Sequence, residues 1–171
     1  GNMPTFSAPS DKQVWIYGSL TLIPDMVWDV RGEVYFRAFQ AGKTILTAGQ
    51  GFQNYVVFDG SGGEWTLLDG FSTVSYWRGR IFVRSGSLYT NNQTVNAGSI
   101  QINCSSPISV FLGASTINIT DPYGEFILYD NYAGCLTFNA GTSTIVFQGS
   151  ENGYLNVNYA NAYLHNVVFN S

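Results

Sequence analysis

Apolar residues fall at every second position in a series of short runs. "TINI" (116–119) sets Ile117 and Ile119 on one side of an extended backbone, and "TIVF" (144–147) does the same with Ile145 and Phe147. Side chains two apart share a face of a strand, so each run predicts a short, half-buried strand. Gly, Asn, Asp and Ser fill the joints, as in "DPYG", "DNYAG", "NAGTS" and "QGSENG", which are turn residues. Helical spacing of apolar residues never persists for three turns, and no helix is expected.

The runs recur. Thr followed by Ile or Val stands at Thr44, Thr73, Thr94, Thr116 and Thr144, at intervals of 29, 21, 22 and 28 residues. After "TINI" come "FILY" (126–129) and "CLTF" (135–138); after "TIVF" come "YLNV" (154–157) and "YLHN" (163–166), each displaced by 28 residues. About three short strands per repeat predict an all-β fold, a right-handed parallel β-helix (β-solenoid) whose coils bury their inner faces only by stacking. Like residues then stand about 4.8 Å apart, aliphatic side chains inside and threonines outside. The alternative is a β-sandwich of lectin type, which also uses short strands but has no reason to hold a fixed offset through three successive ones.

The length of 171 residues fits one domain with a real core. Residues 1–12 read as a flexible leader and 13–171 as a single β-helix domain. Within it "QVWIYGSLTLIPDMVW" (13–28) breaks the phase and is expected to be an N-terminal cap. "FQNYVVFDG" (52–60) matches "YLHNVVFNS" (163–171), and the first copy runs on into "SGGEWTLLDGF". The C-terminal end is therefore expected to lie within a larger protein, and Gly1 reads as a remnant of cloning.

The stretch from Val27 to Phe71, with its phrases "GKTI" and "VVFDGSGGEWTL", resembles segments common in large exported surface proteins of Gram-negative bacteria. So do "GSLYTNNQTVNAGSIQI" (86–102) and "NAGTSTIVFQGS" (139–150). Those segments are similar to adhesin-like parallel β-helices. The resemblance implies a secreted or cell-surface location and a structural or adhesive role, and it carries over no catalytic motif.

Composition narrows the chemistry. Charged residues make up 11% of the chain and aromatics 16%, against roughly 25% charged in ordinary domains. All seven Lys and Arg lie at or before Arg84, whereas residues 85–171 carry Asp121, Glu125, Asp130 and Glu151 and no basic residue. A nucleic-acid partner needs a basic surface, so none is expected. No apolar run approaches the ~18 residues of a membrane span, and membrane insertion is not expected. Cys104 and Cys135 have neither redox nor zinc spacing and read either as a disulfide or as two small apolar groups.

Candidate sites are few. His165 is the only histidine and no G-x-S-x-G elbow accompanies it, so no catalytic triad is expected. Asp121, Glu125 and Asp130 fall within one coil, but alternation scatters them. Neither calcium, which wants six to eight converging oxygens, nor a glycosidase carboxylate pair is expected there. No cofactor and no metal are expected, and the chain does not read as an enzyme. The threonine column raises the idea of ice binding, but only "TST" (142–144) has the T-x-T spacing. "NQT" (92–94), "NCS" (103–105) and "NIT" (118–120) fit the N-glycosylation pattern and carry no weight in so Asn- and Thr-rich a chain.

The most unusual stretch is "SYWRGRIFVRSG" (75–86). If "RIFVR" is a strand, Arg80, Phe82 and Arg84 share its outer face. With Tyr76, Trp77 and Arg78 they form the candidate binding set, because planar cations beside aromatics suit sugar rings or acidic groups. The bland reading pairs the arginines with Glu64 or Asp69 on a neighbouring coil and lets Trp77 fill a corner. The expected partner is a glycan or a surface protein. The alternative functions are a carbohydrate-active module, either a polysaccharide-binding domain or a relative of the β-helix lyases, and a phage tail or fibre segment that binds a receptor.

Overall fold

The computed structural model describes residues 3–74, 78–104, 106–132, 134–148, 152–159 and 162–170. Its strands stack in three columns. The first column holds β2 (Val14–Ile16), β5 (Val34–Phe36), the start of β7 (Val56–Leu67), the start of β9 (Arg80–Tyr89), β11 (Ser99–Cys104), β14 (Glu125–Asp130) and β17 (Tyr154–Asn158). The second holds β3 (Leu20–Thr21), β6 (Lys43–Leu46), the ends of β7 and β9, β12 (Ile108–Phe111) and β15 (Leu136–Asn139). The third begins with the pair β1 (Thr5–Ala8) and β4 (Val27–Val30), linked by ring contacts from Trp28 to Phe52 and from Phe52 to Phe71. It continues through β8 (Phe71–Ser72), β10 (Thr94–Ala97), β13 (Thr116–Ile119), β16 (Thr144–Phe147) and β18 (Asn166–Phe169).

Every pairing among the described strands is parallel. Antiparallel hairpins of a lectin-type sandwich are therefore absent there, and the fold is a parallel β-helix. Its interior is built by the alternation seen in the sequence. Val95, Ile117 and Ile145 stack inward in register, as do Ala97, Ile119 and Phe147, all buried. Each fully buried Ile or Phe is worth about 1.5–3 kcal/mol, and a one-residue slip would turn the whole set outward.

The phrase Ser-Thr-Ile now has a physical account. Ile points in and Thr stands on the outer face, while Ser115 and Ser143 sit buried at the preceding corner. Ser115 Oγ lies 2.7 Å from Thr90 Oγ1, which also donates to the Leu112 carbonyl at 2.9 Å. Two coils before Thr90 the Thr47 hydroxyl donates to the Gly70 carbonyl at 2.9 Å. Small hydroxyls at this corner supply hydrogen bonds to turn groups that no strand partner satisfies.

Several expected rungs differ. Thr94, Thr116 and Thr144 do form one column, which Asn166 continues. Thr44 lies in the second column opposite Thr66. Thr73 is buried and donates to the Gly79 carbonyl at 2.8 Å, so it has the opposite parity. The offset between "FILY" and "YLNV" is 29 rather than 28, because Phe126 pairs with Leu155. "YLHN" supplies no partner for β15; only its last residue, Asn166, enters a strand, opposite Thr144. The Val-Val-Phe phrases also lie in different columns, β7 in the first and β18 in the third.

At the N-terminal end, Thr5–Ala8 belongs to the stretch expected as a flexible leader, yet it is strand β1, with Phe6 stacked on Trp28 at 5.2 Å. The segment 13–28 contributes β2 and β3 as ordinary rungs. At the other end Val157 and Phe169 occupy inward registers yet remain exposed.

Candidate functional site

The outer face of the first column is where aromatic and cationic side chains collect. Alternation along β9 buries Ile81 and Val83 and leaves Arg80, Phe82 and Arg84 outward, Arg84 the most exposed of the three. Beyond Val83 the strand carries a bulge. Phe58 pairs with Val83 but Asp59 pairs with Ser85, so Arg84 is an extra residue without a partner on β7. Bulges re-aim side chains in this way. The Arg84 guanidinium turns back over the Phe82 ring, 5.1 Å from its centroid.

Neighbouring coils extend the patch. Register places Tyr55 beside Arg80, and its ring meets Phe82 edge-on at 5.5 Å. Arg37 lies over the Trp15 ring at 5.1 Å and donates to Asp59 at 3.2 Å, while the Ser85 hydroxyl donates to the other oxygen of Asp59 at 3.2 Å. Trp15 is about half exposed. The Tyr35 hydroxyl donates to Glu33 at 2.9 Å, and Gln13 donates to the same Glu33 oxygen at 2.8 Å. Burial raises the Tyr35 pKa first, the hydrogen bond and charge of Glu33 raise it further, and Arg84 acts in the opposite direction.

An open groove of about 420 Å³ runs across these strands, lined by Lys12, Gln13, Glu33, Asn54, Tyr55 and Arg78 among others. Of the six sequence-derived residues, Arg80, Phe82 and Arg84 share one face and Arg78 lines the adjoining groove; Tyr76 and Trp77 lie outside the described residues. For Arg80 and Arg84 the bland reading fails in its partners. Neither Arg80 nor Arg84 is ion-paired with Glu64 or Asp69, and the Asp69 carboxylate accepts instead from the backbone and hydroxyl of Thr47. Sequence reading missed Trp15, Tyr35, Arg37 and Tyr55. The signal was the set "VYF", "VVF" and "IFV", one rung each of the same column.

The other candidates do different things. Asp121 is buried and accepts from the Tyr123 amide at 2.9 Å, Glu125 accepts from Gln101, and Asp130 accepts from the Gly134 amide. Glu125 and Asp130 stand at opposite ends of β14, about 16 Å apart along an extended strand. His165 is exposed in a shallow groove with Phe138 and Tyr163, and among the described residues no hydroxyl or carboxylate bonds to it. Cys104 and Cys135 form a disulfide. It consumes both thiols of the one His/Cys/Asp/Glu cluster found among the described residues, with Asp130 as its third member. Beside the threonine column stand Asn96, Asn118 and Val146, the two amides hydrogen-bonded at 2.7 Å, so a second threonine column is absent there.

Compared with known proteins, the chain matches no family model, no curated protein and no solved structure. Among the described residues no helix is long and apolar enough to cross a membrane, and the disulfide suits an oxidising compartment.

Proposed function

We propose that this chain is a structural or adhesive module of an exported cell-surface protein, without a catalytic centre, which presents the outer face of its first strand column to a glycan. The observation that carries the reading is Arg84, held outward by a bulge and laid on Phe82 next to Tyr55. Flat rings and guanidinium planes offer stacking surface and fork-shaped donors together, the combination that pyranose rings and their polar substituents use. A β-helix makes the surface rigid, since each outward side chain is set by the stacked rung beneath it.

The test is a panel of neutral and acidic polysaccharides run against the protein and against an Arg80→Gln, Phe82→Ala variant, with thermal unfolding as a check on folding. Retention of at least one polysaccharide by the wild type and its loss in the folded variant is the expected result. Failure to retain any polysaccharide would refute the reading. Release of new reducing ends from a bound polysaccharide would instead make the chain a carbohydrate-active enzyme.

A further inference from the structure

We infer that the glycan this face takes is an acidic one, a polysaccharide bearing uronate carboxylates; the inference rests on the glycan reading above. The first ground is charge. Lys12, Arg37, Arg78, Arg80 and Arg84 all stand on or beside this face, whereas residues 85–171 contain no cation and four carboxylates. Four carboxylates oppose the five cations: Asp11 is paired with Lys12 at 2.7 Å, Asp59 with Arg37 at 3.2 Å, Glu33 accepts from Gln13 and Tyr35, and Glu125, two rungs beyond Arg80 in the same column, accepts from Gln101. A modest positive excess is thus confined to the coils before Arg84 and ends where the acidic half begins.

The second ground is geometry. Gln13, Glu33, Tyr55 and Arg80 precede four register partners, Val14, Val34, Val56 and Ile81, so they form one column across the strands. At about 4.8 Å per rung it runs some 14 Å along the solenoid axis and offers a linear chain a track. Arg80 and Arg84 lie about 13 Å apart along β9, with Phe82 between them. The guanidinium fork matches a planar carboxylate with two parallel hydrogen bonds. Glu33 lies in the track and repels a chain in proportion to its charge, which disfavours a heavily sulfated polysaccharide with several charges per sugar against a polyuronate with one.

Affinity electrophoresis against three gels, containing polygalacturonate, its methyl ester and a sulfated dextran, decides the matter. Retardation is expected in the polygalacturonate gel alone. It should weaken by about tenfold in an Arg80→Gln, Arg84→Gln variant, partly recover with Lys at both positions, and fall away near 1 M salt, where the Debye length is about 3 Å. Equal retardation by acid and ester would overturn the acidic assignment and leave the glycan reading standing. Stronger retardation by sulfated dextran would overturn the carboxylate assignment. No retardation in any gel, together with an empty polysaccharide panel, would overturn both.

Discussion

At the scale of single residues, the candidate face owes its character to side chains that hold one another in place. Tyr35 shows this most clearly, because its hydroxyl is half-buried against Glu33. Its folded pKa lies above the ordinary tyrosine value of about 10, first through burial and then through Glu33. The sign follows directly. A group whose folded pKa is raised adds stability that is fully present below about pH 10 and is lost as pH climbs through the folded value. An ultraviolet absorbance titration of the wild type minus a Tyr35→Phe variant should show Tyr35 ionising above pH 10. The wild type should also lose more stability than the variant across that window. A difference titration centred at or below the ordinary value would contradict the placement of Tyr35.

At the scale of elements, the corner between the first and second columns depends on glycine. Gly86 has φ +86°, and a Cβ there would lie 2.5 Å from the Gly60 carbonyl oxygen and 2.6 Å from that of Gly63. A Gly86→Ala variant should lose about 1–3 kcal/mol through backbone strain, read by urea denaturation. A Cβ at Gly18 meets nothing within 4 Å, so Gly18→Ala should change stability by less than about 0.5 kcal/mol. Equal stability of the two variants would contradict the corner geometry. Such elements also mark what the sequence disclosed. Alternation alone identified Ile117, Ile119, Ile145 and Phe147 as inward and Arg80, Phe82 and Arg84 as outward, because burial on one face imposes period two. It did not reveal Thr73 as inward, since the turns before it shift this Thr-Val phrase three residues past the register of Thr94, which leaves Phe71 and Thr73 as the inward pair. The 29-residue step from Phe126 to Leu155 was hidden for the same reason, since turns absorb single residues without leaving a hydrophobic signature. Tyr35 and Tyr55 escaped notice because their nearness to Phe82 is fixed only by register between coils.

At the scale of the whole molecule, stacking turns a weakly charged chain into a rod with electrical polarity. All the cations lie before Ser85, and the second half is purely acidic. The Cys104–Cys135 disulfide ties successive coils across 31 residues in that acidic half. The aromatic and cationic surface is therefore concentrated toward the N-terminal coils. If the glycan reading holds, the ligand meets this face and no other. The most direct test is a map of chemical-shift changes in aromatic and arginine side chains as short oligogalacturonates are titrated in. Perturbations centred on Phe82, Arg80, Arg84, Tyr55 and Tyr35 are predicted. Perturbations centred on the groove at Phe138, Tyr163 and His165, or on the Thr94–Thr116–Thr144 column, would contradict it.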